Sequence, residues 1–253
     1  YDHIKETAPR SCAVIGAGFI GLEMAENLAE RGVHVTVVEG ASHVMPPIDM
    51  DMAHQVHNYI RAQGIDLYLG QTCTAMDKDG VILKDGRKIP ADMVILSIGV
   101  RPDTGFLKDS GIELGARGEI LVNSYMETSA PDVYALGDAA SVRHIVSEKQ
   151  VLIPLASPAN KQGRIVGDNL CGRKTAYRGS QGTSIMKFFG LTVAVTGEKE
   201  ENLQAQGRAF CKVITTSASQ AGYYPGGEMM TVKTLFEPDT GRILGAQIVG
   251  GKG

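Results

Sequence analysis

Apolar residues in this chain fall into short unbroken runs separated by amphipathic stretches, the arrangement expected of strands alternating with helices. Cys12-Ala13-Val14-Ile15 is continuous, as for a strand buried on both faces of a parallel sheet. From Ile20 the period changes: Leu22, Ala25, Leu28 and Ala29 recur at helical spacing with Glu23, Glu26 and Glu30 between them, and Gly32 ends the pattern. Residues 33–38 form a second apolar strand closed by Glu39. After the Pro-bearing loop "GASHVMPPIDMD", Val56, Tyr59 and Ile60 predict a helix over 52–63, and 65–69 reads as a short strand. The turn signals Lys78-Asp79-Gly80 and Lys84-Asp85-Gly86 divide "CTAMDKDGVILKDGRKI" into an antiparallel meander, after which "DMVILSIG" (92–99) rejoins the parallel sheet.

The pattern then changes. "LGARGEILVNSYMETSAPDVYALGDAA" carries short strands and turn glycines, and "PLASPANKQGRIVGDNLCG" reads as a loop leading into a helix that Gly172 ends. From about Gly182, "TSIMKFFGLTVAVTG", "RAFCKVITT" and "MTVKTLFEPDTGRILGAQIVG" are rich in β pattern, with an Asp239-Thr240-Gly241 turn between two strands. The fold class is α/β: a Rossmann-like nucleotide domain at 1–113, a second region at 114–180, and an α+β module at 181–253.

The strongest chemical signal is Gly16-Ala17-Gly18-Phe19-Ile20-Gly21, a G-x-G-x-x-G between the first strand and the first helix. In that turn the first glycine permits the bend, the second admits a pyrophosphate against bare backbone, and the third lets helix and strand pack closely. The amides of Phe19 and Ile20 open the helix and would point at the phosphates. Glu39, 18 residues past Gly21, stands where an acid binds the ribose 2′-hydroxyl. Its charge would repel a 2′-phosphate, so NADH is expected, with NADPH as the alternative.

Composition narrows the rest. With 43% hydrophobic and 21% charged residues over 253 positions, the chain suits a globular α/β protein of one large or two smaller domains. A net charge of −3 gives no electrostatic footprint for nucleic acid or an anionic membrane, and no apolar run reaches the length of a membrane span. Cys12, Cys73, Cys171 and Cys211 are too scattered for a disulfide framework, which points to a reducing cytoplasm. Six dispersed histidines, with only His54 and His57 at helical spacing, suggest no metal site.

GAGFIG with Glu39, "IGVRPDT" (98–104) and "DVYALGDAA" (132–140) together resemble the flavin-dependent pyridine nucleotide–disulfide oxidoreductases, over essentially the whole chain. "LASPANKQGR" (155–164) and "AGYYPGG" (221–227) are most similar to coenzyme A-disulfide reductases and related NADH oxidases or polysulfide reductases. The resemblance implies an FAD- and NADH-dependent homodimer acting on coenzyme A disulfide or a related sulfur substrate, with an NADH oxidase or peroxidase as the alternative. It identifies 114–180 as the C-terminal part of an FAD-binding domain and 181–253 as a truncated dimerisation domain. It also implies that the redox cysteine and the first FAD half lie upstream, so that this piece alone is expected to be inactive, a dinucleotide-binding module without turnover.

The resemblance further assigns roles. Glu23 would orient the nicotinamide, Gly99 would let the cofactor pass, and Asp138 would hold FAD hydroxyls at a helix start. Backbone amides of Leu155 and Ala156 would face the flavin. One of Tyr223 and Tyr224 would assist a departing thiolate in the partner subunit. Each also has a plainer reading: a solvated helix charge for Glu23, an N-cap for Asp138, and a packed interface pair for the tyrosines.

Overall fold

The computed structural model describes residues 2–251, with the side chain of His3 excepted. Residue contacts divide the chain into two compact units, one of Tyr1–Gly99, Ile185–Val195 and Lys199–Gly253, the other of Val100–Ser184 and Thr196–Glu198.

In the first unit a short helix α1 (Asp2–Thr7), absent from the sequence expectations, precedes β1 (Ser11–Ile15). The glycine turn follows, then α2 (Phe19–Ala29), β2 (His34–Glu39), α3 (Met50–Ala62) and β3 (Asp66–Leu69). Gly32 closes α2 at a positive φ of 81°, where only glycine sits without strain. Helix α3 begins two residues earlier than its apolar period suggested, because Asp49 in extended backbone is its N-cap. The meander is β4 (Cys73–Asp77), β5 (Gly80–Leu83) and β6 (Lys88–Pro90), and β7 (Met93–Leu96) returns to the main sheet.

The four-stranded sheet runs β3-β2-β1-β7, all parallel. Successive side chains of β1 point to opposite faces. Cys12 and Val14 join a core with Leu22, Leu28, Val56 and Ile60, while Ala13 and Ile15 join a second core with Val81, Leu83 and Ile89 of the meander. Both faces are covered, which is why the strand is apolar without alternation. Leu22 and Leu28 are wholly buried, each worth roughly 1.5–3 kcal/mol by transfer from water.

The second unit contains the hairpin β8 (Ser141–Arg143) and β9 (Gln150–Leu152), and helix α4 (Ala156–Leu170) with Cys171 as its C-cap and Gly172 at φ 81°. Its core is small: Val122, Met126, Ala140, Val142 and Val166. Residues 114–140 are held by isolated bridges such as Ile120 to Ala140 rather than by regular strands.

The chain then forms β10 (Ser184–Phe188), β11 (Leu191–Gly197), α5 (Glu200–Ala205), β12 (Cys211–Ala218), β13 (Met229–Phe236) and β14 (Ile243–Gly250). These strands make one sheet in the order β10-β11-β14-β13-β12. Met186, Phe188, Leu191 and Val249 pack into the first unit's larger core. Glu26 of α2 accepts the Phe189 N–H at 2.8 Å, and Tyr59 Oη accepts that of Gly190 at 2.9 Å.

Candidate functional site: a glycine-lined crevice

The end of β1 builds the site. Gly16 has φ 104°, and a Cβ there would sit 2.2 Å from the Ser97 carbonyl oxygen. A Cβ on Gly21 would sit 2.0 Å from the Gly16 oxygen. These two glycines are fixed by protein–protein closeness. Gly18 is different: its φ of −78° suits any residue, and a Cβ would meet nothing within 4 Å. The space beside Gly18 is open, so its missing side chain leaves room for a ligand.

Gly18 is the N-cap of α2 and makes no side-chain cap bond. The first bond of the helical ladder runs from Leu22 N–H to the Gly18 oxygen at 3.0 Å, so the amides of Phe19, Ile20 and Gly21 precede it. Those N–H groups and the helix dipole favour an anion. Glu39, at the end of β2, accepts from Ala17 N–H at 2.7 Å through Oε2 and from Ala41 N–H at 2.8 Å through Oε1. A carboxylate has about four lone-pair positions, so hydroxyl contacts remain open to it. Gly16, Gly18, Glu39 and Gly99 line one cleft of ≈ 430 Å³, together with Pro46, Gln71 and Cys73. A pyrophosphate with its ribose fits this donor and acceptor set.

Glu23 lies exposed on α2, one turn beyond the glycines, and its carbonyl accepts from Asn27 Nδ2. Tyr223 and Tyr224 are 83% and 60% exposed between β12 and β13, with ring centroids 4.9 Å apart. Neither lines the cleft.

In the second unit, Asp138 lines a separate cleft of ≈ 360 Å³ with Arg101, Asp103, Arg117, Leu152 and Pro154. The expected helix start is not there. Asp138 sits in a turn closed by Ala140 N–H to the Gly137 oxygen at 3.1 Å, and the chain continues into β8. Ser141 and Val142 pair with Leu152 and Val151 as strand, and Gly137 at φ 83° makes the bend. Leu155 is the N-cap of α4, and its own N–H is engaged by the Ile153 oxygen at 2.8 Å. Pro158 has no N–H, and Ala159 bonds back to Leu155, so Ala156 and Ser157 are the amides left at this helix start. An acidic side chain and two amides suit a hydroxylated, phosphorylated cofactor such as FAD.

Sequence reasoning missed a charged cluster. Among the described residues, Asp49, Asp51 and Glu200 form a carboxylate group close enough to hold a cation, and the fully buried Lys233 ammonium lies among them. It is 2.9 Å from Asp49 and 2.7 Å from Asp51, and it also contacts Glu200. Gln247 closes the set, its Nε2 donating to Asp49 at 2.6 Å and its Oε1 accepting from Asp49 N–H. Burial pulls Lys233 down, but hydrogen bonds to Asp51, Glu200 and Asp49 outweigh it and hold the ammonium above the usual lysine range. Burial pushes Asp51 and Glu200 up, and Lys233 together with Lys212, and for Asp51 the Met52 N–H, outweigh it, leaving both below the usual carboxylate range. Cys12, sealed in β1, has its thiol pushed up to about 11 by burial and is no nucleophile.

No helix among the described residues is long and apolar enough to cross a membrane. Residues 2–163 match the family model described as pyridine nucleotide-disulphide oxidoreductase, and residues 183–253 match the dimerisation domain of the same family. The chain is 32% identical over 253 residues to an NAD(P)H sulfur oxidoreductase (CoA-dependent) of Pyrococcus furiosus, covering 98% of this chain and 57% of that protein. It superposes on the crystal structure of reduced CoADR-RHD from Bacillus anthracis with a TM-score of 0.97 and 44% identity, covering 100% of this chain and 46% of that one. The water-forming NADH oxidase from Lactobacillus brevis, bound to NADH, gives a TM-score of 0.91 at 32% identity, covering 99% and 56%. The chain thus spans about half the length of the relatives it matches. With the glycine turn, its acid and both family models falling on one chain, it belongs to the pyridine nucleotide-disulphide oxidoreductase family.

Proposed function

We propose that this chain is the nucleotide-binding and interface portion of an FAD-dependent NAD(P)H oxidoreductase that reduces a disulfide-type acceptor, such as coenzyme A disulfide or a polysulfide. The observation that carries the reading is the open face of Gly18 beside the uncapped start of α2, with Glu39 at the same cleft. The backbone of Gly16, Gly18, Phe19, Ile20 and Gly21 holds the pyrophosphate, and Glu39 accepts the ribose 2′-hydroxyl. Because its charge opposes a 2′-phosphate, NADH binds more tightly than NADPH. Glu23 orients the nicotinamide, and Gly99, at φ 98°, lets the cofactor pass along bare backbone.

Asp138 holds FAD by hydroxyl contacts, and at the helix start that Leu155 caps, the free amides are those of Ala156 and Ser157, the Leu155 N–H being taken by Ile153. FAD held there would supply the hydride-accepting and electron-relaying chemistry between nicotinamide and sulfur. One of Tyr223 and Tyr224 hydrogen-bonds or protonates the leaving thiolate in the second subunit of a homodimer. Their exposure, and that of every residue of β12, suits a surface that a partner covers. In this reading 1–113 binds the nicotinamide nucleotide, 114–180 completes the FAD site, and 181–253 forms the interface. A reducing cytoplasm suits its four unpaired cysteines.

The likeness to a water-forming NADH oxidase supports a second reading with the same nicotinamide site and oxygen as acceptor. Calorimetric titration of the chain with NADH tests the binding half, and failure to bind would sink it. In the full-length parent, NADH-dependent thiol release from coenzyme A disulfide supports the first acceptor. NADH loss driven by oxygen alone supports the second.

A further inference from the structure

Within the proposed dinucleotide cleft, Gln71 has no role so far. It follows β3 in the segment that runs beside Glu39, whose carbonyl accepts the Gln71 N–H at 3.0 Å. Its side chain lines the cleft with Glu39, Gly40 and Thr72, and its amide oxygen Oε1 is buried without a hydrogen-bond partner. The two loops are in close register, for a Cβ on Gly40 would lie 3.2 Å from Thr72 Cγ2. Glu39 marks this as the adenosine end of the cleft. A buried carbonyl oxygen without a donor is destabilising, so its retention beside a ligand cleft calls for a ligand donor.

We infer that Gln71 is a specificity-determining residue that reads the adenine base of the dinucleotide. This rests on the nucleotide assignment above. A carboxamide presents an acceptor and a donor side by side, and adenine presents the complementary pair, its exocyclic amine beside ring N7. Hypoxanthine, with an oxygen in place of that amine, would set acceptor against acceptor and lose one hydrogen bond. The site therefore selects adenine dinucleotides by a neutral hydrogen-bond pair, separately from the charge selection exerted by Glu39 on the ribose.

The test compares NADH with reduced nicotinamide hypoxanthine dinucleotide by calorimetric titration of the chain. Wild type binds NADH about tenfold more tightly than the analogue, the scale of one unmatched hydrogen bond. Gln71→Leu brings the two within about twofold by weakening NADH more than the analogue. Gln71→Glu, which still accepts from the exocyclic amine, keeps part of the preference, and thermal melts establish that both variants are folded. Equal binding of the two nucleotides by wild type, or an undiminished preference in Gln71→Leu, overturns the inference while leaving the dinucleotide site in place. Failure of wild type to bind NADH removes both.

Discussion

Two carboxylate-bearing regions of the first unit are built in opposite ways. Around Lys233, three carboxylates and a glutamine surround one buried ammonium. Around Gly18, amides at a helix start and a half-used carboxylate stand at a cleft that Gln71, whose side-chain oxygen is buried and unpaired, also lines. Sequence composition alone would rank the first as the more chemical of the two, since it has more charge. The second is the proposed ligand site because its polar groups are left for something else to satisfy. Charge density does not separate a structural cluster from a functional one. Unfilled hydrogen-bonding capacity does.

The sharpest break of this contrast is Lys233→Met. It leaves Asp49, Asp51 and Glu200 facing one another without a cation, and the expected loss is roughly 3–5 kcal/mol. For a protein of this size that lowers Tm by on the order of 10 °C, read by calorimetric melting. A Tm within a degree of wild type would show that the cage is not what holds α3 and α5 to β13.

Next in size are two substitutions at neighbouring glycines of one turn, opposite in outcome. Gly16→Ala forces a side chain onto positive φ and into the Ser97 carbonyl, so it lowers Tm by several degrees. Gly18→Ala meets no protein atom, leaves Tm within about 2 °C, and weakens NADH by about tenfold or more because the added methyl occupies the ligand's side. Paired melts and titrations check both, and an unchanged NADH affinity in Gly18→Ala would move the pyrophosphate elsewhere.

Buried His57 supplies a pH readout. Burial first, then the positive charges of His54, Arg61 and His43, pull its pKa down to about 4 from 6.5, and its Nε2 accepts the Val44 N–H at 3.2 Å. The folded state holds it neutral, so its stabilising effect is whole above pH 6.5 and is lost progressively as pH falls from 6.5 toward 4. The loss amounts to roughly 2–3 kcal/mol. Denaturant unfolding across that window measures it, and His57→Gln should flatten the slope. The smallest expected effect is Glu39→Ala, which weakens NADH by about tenfold and NADPH much less. An equal loss for both would remove its ribose role.

The strand, turn, helix and acid from Cys12 to Glu39 were legible because each is a local pattern, and so was the meander, whose turns announce themselves as Asp-Gly pairs. The Lys233 cage was not. Its Lys233–Asp51 contact joins residues 182 positions apart, and in sequence Lys233 is only a polar residue in an alternating strand. The turn at Asp138 was misread as a helix start because an acid after glycine serves both structures, and only the pairing of Ser141 with Leu152 decides for strand. Gln71 carried no signal at all, since an unpaired oxygen is a property of surroundings rather than of residue type.

Glu39 is gripped at both oxygens by main-chain amides before any ligand arrives. Its rotamers are therefore frozen during folding, and a sugar docking against it need not immobilise a mobile side chain, a saving on the order of 0.5–1.5 kcal/mol. Such preorganisation makes recognition rigid: the crevice can reject a swollen ribose more readily than it can bend to admit one.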